Sequence, residues 1–204
     1  MSNTPDSRSP KRAASHRRGP RTRTLRIIGG EWRGRRLRFT AEADIRPTPD
    51  RVRETLFNWL GMRVQGSRCL DLFAGSGALG LEALSRGALE VQFVESHPQA
   101  VRDLQARLAE WHAVGAQVSR GDALAYLAGR ARAFDIVFLD PPYTGGLLGA
   151  AAAALTSRGW LTRGALIYAE CAARTGLPPL PPSWHELKAK QAGEVGYHLL
   201  QHEA

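Results

Sequence analysis

The chain has 204 residues and a net charge of +9, from 28 Lys or Arg against 19 Asp or Glu. This length fits one α/β domain with a substantial core and excludes two large domains. The longest apolar run, near Leu147–Leu155, is too short to cross a bilayer, and no apolar run follows the basic start. Neither a membrane span nor a signal peptide is therefore predicted, and we expect a cytoplasmic protein.

The positive charge is concentrated at the start of the chain. Residues 1–38 carry 12 Lys or Arg and 2 Asp or Glu, a net charge of +10, whereas residues 39–204 carry 16 and 17, a net charge of −1. Residues 1–24 contain almost no side chains to bury, which predicts a disordered basic tail. This asymmetry favours an arm that binds a polyanion, although a solubilising tail explains residues 1–24 equally well.

A β-hairpin is predicted over Leu25–Phe39. Strand-forming residues flank the turn residues Gly29 and Gly30, and Leu37 and Phe39 alternate with arginines. This pattern indicates one apolar face and one strongly basic face.

A helix is predicted after the hairpin, where either Thr48 or Asp50 can cap the first turn. Residues 25–62 are thus expected to form a hairpin-and-helix extension of a single domain that spans residues 25–204. The apolar residues of the helix recur at near-helical spacing before Gly61 ends it, and they are Val52, Leu56, Trp59 and Leu60.

Strands and helices alternate along the remainder of the chain. This order predicts an α/β fold with a mostly parallel, seven-stranded sheet, helices on both faces and an antiparallel hairpin at the C-terminal end. The predicted strands are 69–73, 91–94, 117–119, 134–139 and 165–169, followed by the hairpin strands 184–190 and 195–201, and the predicted helices are 78–85, 99–111, 123–127 and 147–155.

A glycine-rich turn, Gly75-Ser-Gly77-Ala-Leu-Gly80, follows the first strand of the sheet. Glycine lets the backbone approach a nucleotide-like cofactor closely, although this pattern also fits nicotinamide and flavin folds. Asp71 lies near the end of the strand before the turn, where its carboxylate can hold backbone or water beside a cationic cofactor. Glu95 ends the next strand, where a carboxylate can accept both ribose hydroxyls.

Asp122 and Ala123 follow the third strand of the sheet. The Asp122 carboxylate lies over the same sheet edge and can accept a hydrogen bond from an adenine amino group. Asp122 can equally well be the N-cap of the following helix, and one carboxylate can both cap the helix and accept from the adenine amino group.

Asp140-Pro141-Pro142-Tyr143 follows a later strand and indicates the chemistry. The exocyclic amino nitrogen of a nucleobase is a weak nucleophile because its lone pair is delocalised into the ring. Acceptors on its two N–H groups, here the Asp140 carboxylate and the Pro141 carbonyl, would free that lone pair. Tyr143 can stack on an extruded base. The segment therefore predicts methyl transfer to a base, with a sulfonium donor and no metal.

Arginines in and after the hairpin are predicted to contact nucleic-acid phosphates rather than to read sequence. As a cluster beside a base pocket, they favour nucleic acid over a small-molecule amine. They are Arg26, Arg33, Arg35, Arg36, Arg38, Arg46, Arg51 and Arg53.

The chain resembles the bacterial 16S ribosomal RNA (guanine-N2) methyltransferases from about Leu25 to Gln201. The most specific shared segment is Arg46–Trp59, because generic methyltransferases have no such sequence. Many members end the Asp-Pro-Pro motif with Phe, and Tyr143 keeps the ring. The other shared segments are Arg26–Gly30, Trp32–Arg35, Asp71–Gly80, Leu139–Tyr143 and Gly193–Tyr197.

This resemblance implies a Rossmann-like class I methyltransferase fold with S-adenosylmethionine at the carboxyl ends of the strands. It implies an enzyme that methylates the N2 atom of a specific guanine in 16S ribosomal RNA, either free or in a small-subunit assembly intermediate. Separately from the resemblance, we expect a monomer. It assigns base handling to Asp140–Tyr143. The implied cofactor-binding residues are Asp71, Phe73, Ala74, Gly75, Ser76, Gly77, Glu95, Asp122 and Ala123.

Three other functions remain open. An adenine-N6 or cytosine-N4 methyltransferase would use a similar Pro-Pro-aromatic pocket, but this chain is too short for a separate DNA-recognition domain. A nicotinamide oxidoreductase leaves Asp140–Tyr143 unexplained. A non-catalytic RNA-binding protein leaves the glycine-rich turn unexplained.

Overall fold

The computed structural model describes residues 21–41, 48–143 and 146–203. Its strands and helices are numbered separately in chain order. The strands are β1 (Arg21–Arg26), β2 (Arg36–Ala41), β3 (Arg68–Asp71), β4 (Glu90–Glu95), β5 (Ala116–Arg120), β6 (Phe134–Leu139), β7 (Leu161–Ala172), β8 (Trp184–Ala192) and β9 (Val195–His202). The helices are α1 (Asp50–Leu60), α2 (Ala78–Ser85), α3 (Pro98–Glu110), α4 (Ala123–Leu127) and α5 (Leu147–Ser157), and a 3-10 turn, Gly61–Val64, follows α1.

Seven strands form one sheet in the order β5-β4-β3-β6-β7-β9-β8. β3, β4, β5, β6 and β7 run parallel to one another, whereas β9 runs antiparallel to both β7 and β8. α1, α2 and α3 pack on one face of this sheet, and α4 and α5 pack on the other. The predicted α/β fold of the methyltransferase class, with its C-terminal antiparallel hairpin, is confirmed.

The chain order reverses between β3 and β6. From β3 the chain proceeds through β4 and β5 toward one edge, and then it returns to β6 and continues toward the other edge. In parallel α/β sheets, such a switch point leaves a crevice at the carboxyl ends of the two strands, and ligands bind there. The turn after β3 and the segment after β6 are the two predicted motifs.

The N-terminal hairpin forms a separate two-stranded antiparallel sheet in which Leu25 lies opposite Leu37. Leu25, Leu37 and Phe39 are buried against the main core, as predicted from their alternation with arginines. β1 begins at Arg21, so residues 21–24 belong to the hairpin and the predicted boundary of the tail at residue 24 is wrong. Residues 1–20 lie outside the described part of the chain.

The hairpin is held on α2 by the buried carboxylate of Glu82. Its two oxygens accept hydrogen bonds from the backbone N–H groups of Ile28 and Gly29, each at 2.8 Å. Arg86 donates to the same carboxylate at 2.8 Å and Arg53 lies 3.4 Å from it. We call this arrangement the Glu82 clamp.

α1 begins without a side-chain cap, since its N-cap residue is Pro49. The predicted capping by Thr48 or Asp50 is therefore wrong: the Thr48 hydroxyl points toward carboxylates of the sheet, and Asp50 accepts from Arg53 at 2.7 Å. Val52, Leu56 and Leu60 are buried as predicted. Trp59 is only half-buried and stacks on Tyr197, with 5.4 Å between the ring centroids.

Both cysteines, Cys69 and Cys171, are buried free thiols. Burial raises the pKa of the Cys69 thiol to about 12, which keeps it protonated and unreactive. Within the described residues, no helix combines the length and the apolar character needed to cross a bilayer.

Candidate active site

The glycine-rich turn between β3 and α2 is built from left-handed glycines. Gly75 and Gly77 have φ angles of 51° and 77°. A Cβ at Gly77 would meet the Leu104 side chain of α3, and a Cβ at Gly80 would collide with the Phe93 ring of β4. Glycine is thus required both for the conformation of the turn and for the close packing of α2 on the sheet.

Asp71 lies at the end of β3 beneath this turn. Its buried carboxylate accepts a hydrogen bond from the backbone N–H of Gly80 at 3.0 Å, which ties the strand to the first turn of α2. Burial raises the pKa of Asp71 to about 7; the Gly80 N–H opposes that rise, and the nearby Glu95 charge adds to it. A carboxylate with such a pKa gains from a cation brought beside it.

Glu95 at the end of β4 orients the same turn. One carboxylate oxygen accepts from the backbone N–H of Gly75 at 2.7 Å and the other accepts from the N–H of His97 at 2.7 Å. Each oxygen has a second lone pair, so the carboxylate can still accept ribose hydroxyls.

Asp122 caps α4, because its side chain accepts from the backbone N–H of Ala125 at 2.9 Å. The N-cap interpretation is confirmed, and the contact with an adenine amino group stays a prediction. Asp122 and Glu95 are brought to one edge by a hydrogen bond of 3.0 Å from the N–H of Gly121 to the Glu95 carbonyl. Ala123 is buried beneath this edge.

The remaining residues of the predicted cofactor site line the turn itself. Phe73 is half-buried, Ala74 is buried, and Ser76 lies beside Gly75 in a small hollow. That hollow is bounded on its other side by β2 of the hairpin, through Leu37, Arg38 and Phe39. The glycine-rich turn, the two strand-end carboxylates and Asp122 make a site suited to an adenosyl cofactor with a cationic group.

Asp140 lies at the carboxyl end of β6, beside Asp71 of β3. Its carboxylate is 3.4 Å from the hydroxyl of Thr48, and the same hydroxyl is 3.1 Å from Glu170 Oε1 of β7. The hydroxyl of Tyr168 donates to Glu170 Oε1 at 2.7 Å. We call Asp140 and Glu170 the carboxyl pair.

The pKa values of both members of the carboxyl pair are raised. Burial is the largest cause for each of them, and the charge of Glu170 and that of Asp71 further raise the pKa of Asp140. Hydrogen bonds from Tyr168 and Thr48 oppose the rise at Glu170. The carboxyl pair as a whole therefore binds a proton more tightly than two isolated carboxylates would.

The rest of the predicted base-handling segment lies at the mouth of the crevice. Pro141 is buried, Pro142 is exposed, and Tyr143 is 50% exposed. Half of the Tyr143 side chain is thus available for contact with a ligand. Burial together with the nearby charges of Asp140 and Glu170 raises the pKa of its hydroxyl, which stays protonated.

Sequence reasoning did not find Thr48, Tyr168 or Glu170 as part of this site. The sequence indicates Thr48 only as a helix cap, Tyr168 lies within the predicted strand 165–169, and Glu170 directly follows that strand. The sequence does contain a signal that Glu170 has a special role, because it is a charged residue inside the apolar run Ala165–Cys171. An acid in a buried strand needs a partner or a function.

The predicted arginine surface is present, with one correction. Five hairpin side chains and Arg51 of α1 are exposed, and Arg46 lies outside the described residues. Arg53 is fully buried and donates to Asp50 and to the backbone carbonyls of Arg26 and Thr48, so the prediction that it contacts RNA is wrong. The exposed hairpin arginines are Arg26, Arg33, Arg35, Arg36 and Arg38.

Comparisons with known proteins cover nearly all of this structure. The sequence model of the family "Conserved hypothetical protein 95" matches residues 25–201. "Ribosomal RNA small subunit methyltransferase D" of Escherichia coli strain K12 is 47% identical over 180 residues, which are 88% of this chain and 91% of that protein. The protein of the same description from Haemophilus influenzae is 42% identical over 181 residues, 87% and 93% of the two chains.

A solved structure of similar extent agrees with the fold. The Escherichia coli protein yhhF superposes with a TM-score of 0.82 at 45% identity, over 89% of this chain and 99% of that one. The family match over residues 25–201 includes the glycine-rich turn, the Asp140–Tyr143 segment and the C-terminal strands up to Gln201.

Proposed function

The chain belongs to the family "Conserved hypothetical protein 95", and from this membership and the geometry of the crevice we propose that it is an S-adenosylmethionine-dependent methyltransferase of small-subunit ribosomal RNA. Its acceptor is the N2 amino group of a specific guanine in 16S RNA. The observation that supports this most strongly is the placement of Asp71 and Asp140 close together at the switch point, each at the start of its own motif.

The residues around the glycine-rich turn fit the donor. Glu95, held by the Gly75 and His97 N–H groups, would accept the ribose hydroxyls, and Asp122 would face the adenine amino group. Asp71 would act through its charge on the donor's cationic part, since its raised pKa makes it sensitive to a nearby cation. When bound, S-adenosylmethionine supplies a methyl group on a sulfonium sulfur, an excellent leaving group.

Asp140 and the Pro141 carbonyl would accept the two amino hydrogens of the guanine. They would hold its nitrogen lone pair toward the donor, and positioning of this kind accounts for most of the acceleration expected in such a reaction. Tyr143 would stack on the extruded base with its exposed ring face. Such stacking contributes about 1–3 kcal/mol, comparable with the cost of extruding a base.

The basic face of the hairpin would hold the RNA backbone. Arg38 borders the hollow next to Gly75 and Ser76, so the exposed hairpin arginines lie beside the cofactor turn. Contacts between arginine and phosphate position a nucleic acid without selecting its sequence. The guanine would then be selected in the crevice, not by the hairpin.

The test is to incubate the protein with labelled S-adenosylmethionine and either unmodified 16S RNA or small subunits that lack this modification. Digestion and chromatography then identify the methylated nucleoside, and N2-methylguanosine is expected. Asp140→Ala should abolish turnover while donor affinity stays within a few-fold. Methylated adenosine would instead support an adenine-N6 enzyme, and loss of donor binding in Asp140→Ala would show that Asp140 is misassigned.

A further inference from the structure

The hydroxyl group of Thr48 lies between the two members of the carboxyl pair, so three separate parts of the chain meet there. Thr48 precedes α1, Asp140 ends β6 and Glu170 lies in β7, and the Thr48 hydroxyl is 3.4 Å from one carboxylate and 3.1 Å from the other. Glu170 is 3% exposed. Among the described residues, neither carboxyl group forms an ion pair with Lys, Arg or His.

Glu170 is buried and Asp140 is half-buried. Two carboxylates within reach of one hydroxyl group at this depth repel each other, and without a cation between them they retain one proton. The titratable groups that face the pair are Asp71 on β3, Tyr143 after β6, and Tyr168 and Cys171 on β7. None of them supplies a positive charge. The pair therefore enters the reaction with a proton on one of its two members.

Which member holds that proton matters for Asp140. Protonated Asp140 has one oxygen occupied by hydrogen and presents a weaker acceptor to a base amino group. If the proton resides on Glu170 instead, Asp140 is a full carboxylate. An incoming N–H donor at Asp140 favours this second arrangement, because hydrogen bonds to the charged form stabilise it.

Resting on the function proposed above, we infer that Glu170 is a positioning residue for Asp140: it takes up the proton of the carboxyl pair when the base arrives, so that Asp140 meets the amino group as an ionised acceptor. Thr48 and Tyr168 hold the Glu170 side chain in reach of Asp140 through their hydroxyl groups. Because Thr48 lies in the segment just before α1, the position of the Glu170 side chain also depends on that segment.

The methyl transfer to the guanine amino nitrogen balances in electrons and protons. The amino nitrogen gives its lone pair to the methyl carbon, and the carbon–sulfur bond breaks with its electrons left on sulfur. The positive charge passes to the nitrogen, which then loses one proton. Asp140 accepts that proton while Glu170 keeps its own. Asp140 is partly exposed, so the accepted proton can leave to solvent past Tyr143.

Glu170→Gln tests the inference directly. A glutamine amide imitates the protonated form of Glu170, since it donates to Asp140 and still accepts from Tyr168 and Thr48. We expect kcat at its optimum to stay within about threefold of wild type. The acid limb of the kcat–pH profile should move to lower pH, because removing the Glu170 charge lowers the pKa of Asp140.

Glu170→Ala removes the partner altogether and should lower kcat by at least about tenfold, with the RNA KM and the donor Kd within about twofold of wild type. Glu194→Gln, the same chemical change on an exposed residue of the β8–β9 turn, is the control and should leave the profile unchanged. A wild-type pH profile in Glu170→Gln, or wild-type kcat in Glu170→Ala, overturns the inference. If Glu170→Ala does not fold, the pH profile of Glu170→Gln decides.

Infrared spectra of the free protein provide a second readout that needs no turnover. In an Asp71→Asn background, which removes the other carboxyl group whose pKa is raised to near 7, the protein at neutral pH should show one protonated-carboxyl band that is missing when either Glu170→Gln or Asp140→Asn is added. Retention of that band in Glu170→Gln contradicts the shared proton. Failure of the proposed function is seen separately, as a different methylated nucleoside or none from the wild-type enzyme, and it does not alter these spectra.

Discussion

The carboxylate of Glu95 accepts a hydrogen bond from the backbone N–H of Gly75 at 2.7 Å, across 20 residues of chain. One acidic side chain at the end of β4 thereby fixes the conformation of the turn after β3. Its other oxygen is held by the N–H of His97, so the carboxylate cannot rotate freely. A preorganised acceptor binds a ribose with less loss of side-chain entropy than a mobile one.

Replacement of Glu95 should therefore weaken donor binding more than a surface change does. Glu95→Gln has only one acceptor oxygen and cannot accept from both N–H groups, so we expect the Kd for S-adenosylmethionine to rise by about tenfold or more. Calorimetric titration measures this, with the exposed Glu54→Gln as control. An unchanged Kd in Glu95→Gln would exclude Glu95 from the donor site.

The exposed ring of Tyr143 should matter more than its hydroxyl. Tyr143→Ala loses the stacking surface and should lower kcat/KM by roughly 10- to 100-fold, which corresponds to about 1–3 kcal/mol. Tyr143→Phe keeps the ring and should stay within a few-fold of wild type. The kcat/KM of each variant is measured by steady-state methylation of RNA. An equal loss of kcat/KM in both variants would show that the hydroxyl and its contact with Glu170 are needed, rather than the ring face.

The hairpin arginines should set the salt dependence of RNA binding. Each contact with phosphate adds about 0.7–0.9 to the slope of log affinity against log salt. Changing Arg33, Arg35, Arg36 and Arg38 to Ala should weaken binding and flatten this slope by up to about 2.8–3.6, as measured by filter binding over a salt series.

A matched control for this experiment uses exposed arginines at the starts of β3 and β7 and after α4 and α5. Replacing four exposed arginines there removes the same charge from the protein and should leave the slope nearly unchanged. Equal slopes in the two quadruple variants would show that net charge alone, not the hairpin, attracts the RNA. The control positions are Arg68, Arg130, Arg158 and Arg163.

Asp71 should make the stability of the protein fall as the pH rises. Its pKa in the folded state is about 7, above the value of 3.8 expected in the unfolded chain, so the folded state binds the proton more tightly. The stabilisation is complete below about pH 4 and is lost as the pH rises through 7.

Asp71→Asn lacks this proton linkage but can still accept from Gly80 through its amide oxygen. Between pH 5 and pH 8, wild type should lose on the order of 2–3 kcal/mol of unfolding free energy relative to Asp71→Asn. Urea denaturation at both pH values measures the difference. A constant gap between the two proteins would mean that Asp71 is already ionised at pH 5 in the folded state.

The sequence predicted the elements with strong local signals. The turns and helices around Gly75–Gly80 and the strand before Asp140 have their predicted positions because glycine, proline and apolar runs specify them locally. β7 was predicted as 165–169 but spans Leu161–Ala172, since its pairing with β6 and β9 extends it beyond its own apolar run.

Arg53 shows why charge alone misleads. It was assigned to RNA because it lies in an arginine-rich segment. Yet Arg53, Leu56, Phe57 and Leu60 recur at helical spacing and share the buried stripe of α1. The partners that make its burial possible, Glu82 and Asp50, include one from a different helix. Tertiary pairing of this kind is invisible in a single sequence.

The Glu82 clamp has a consequence for protein engineering. Without the hairpin, the fully buried carboxylate of Glu82 on α2 would lose its two backbone donors and keep only Arg86 and Arg53, and each hydrogen bond to a charged group contributes about 1.5–3 kcal/mol. The N-terminal segment is therefore not a detachable module. Grafting it onto another methyltransferase scaffold would require Glu82 and Arg53 to be transplanted along with it.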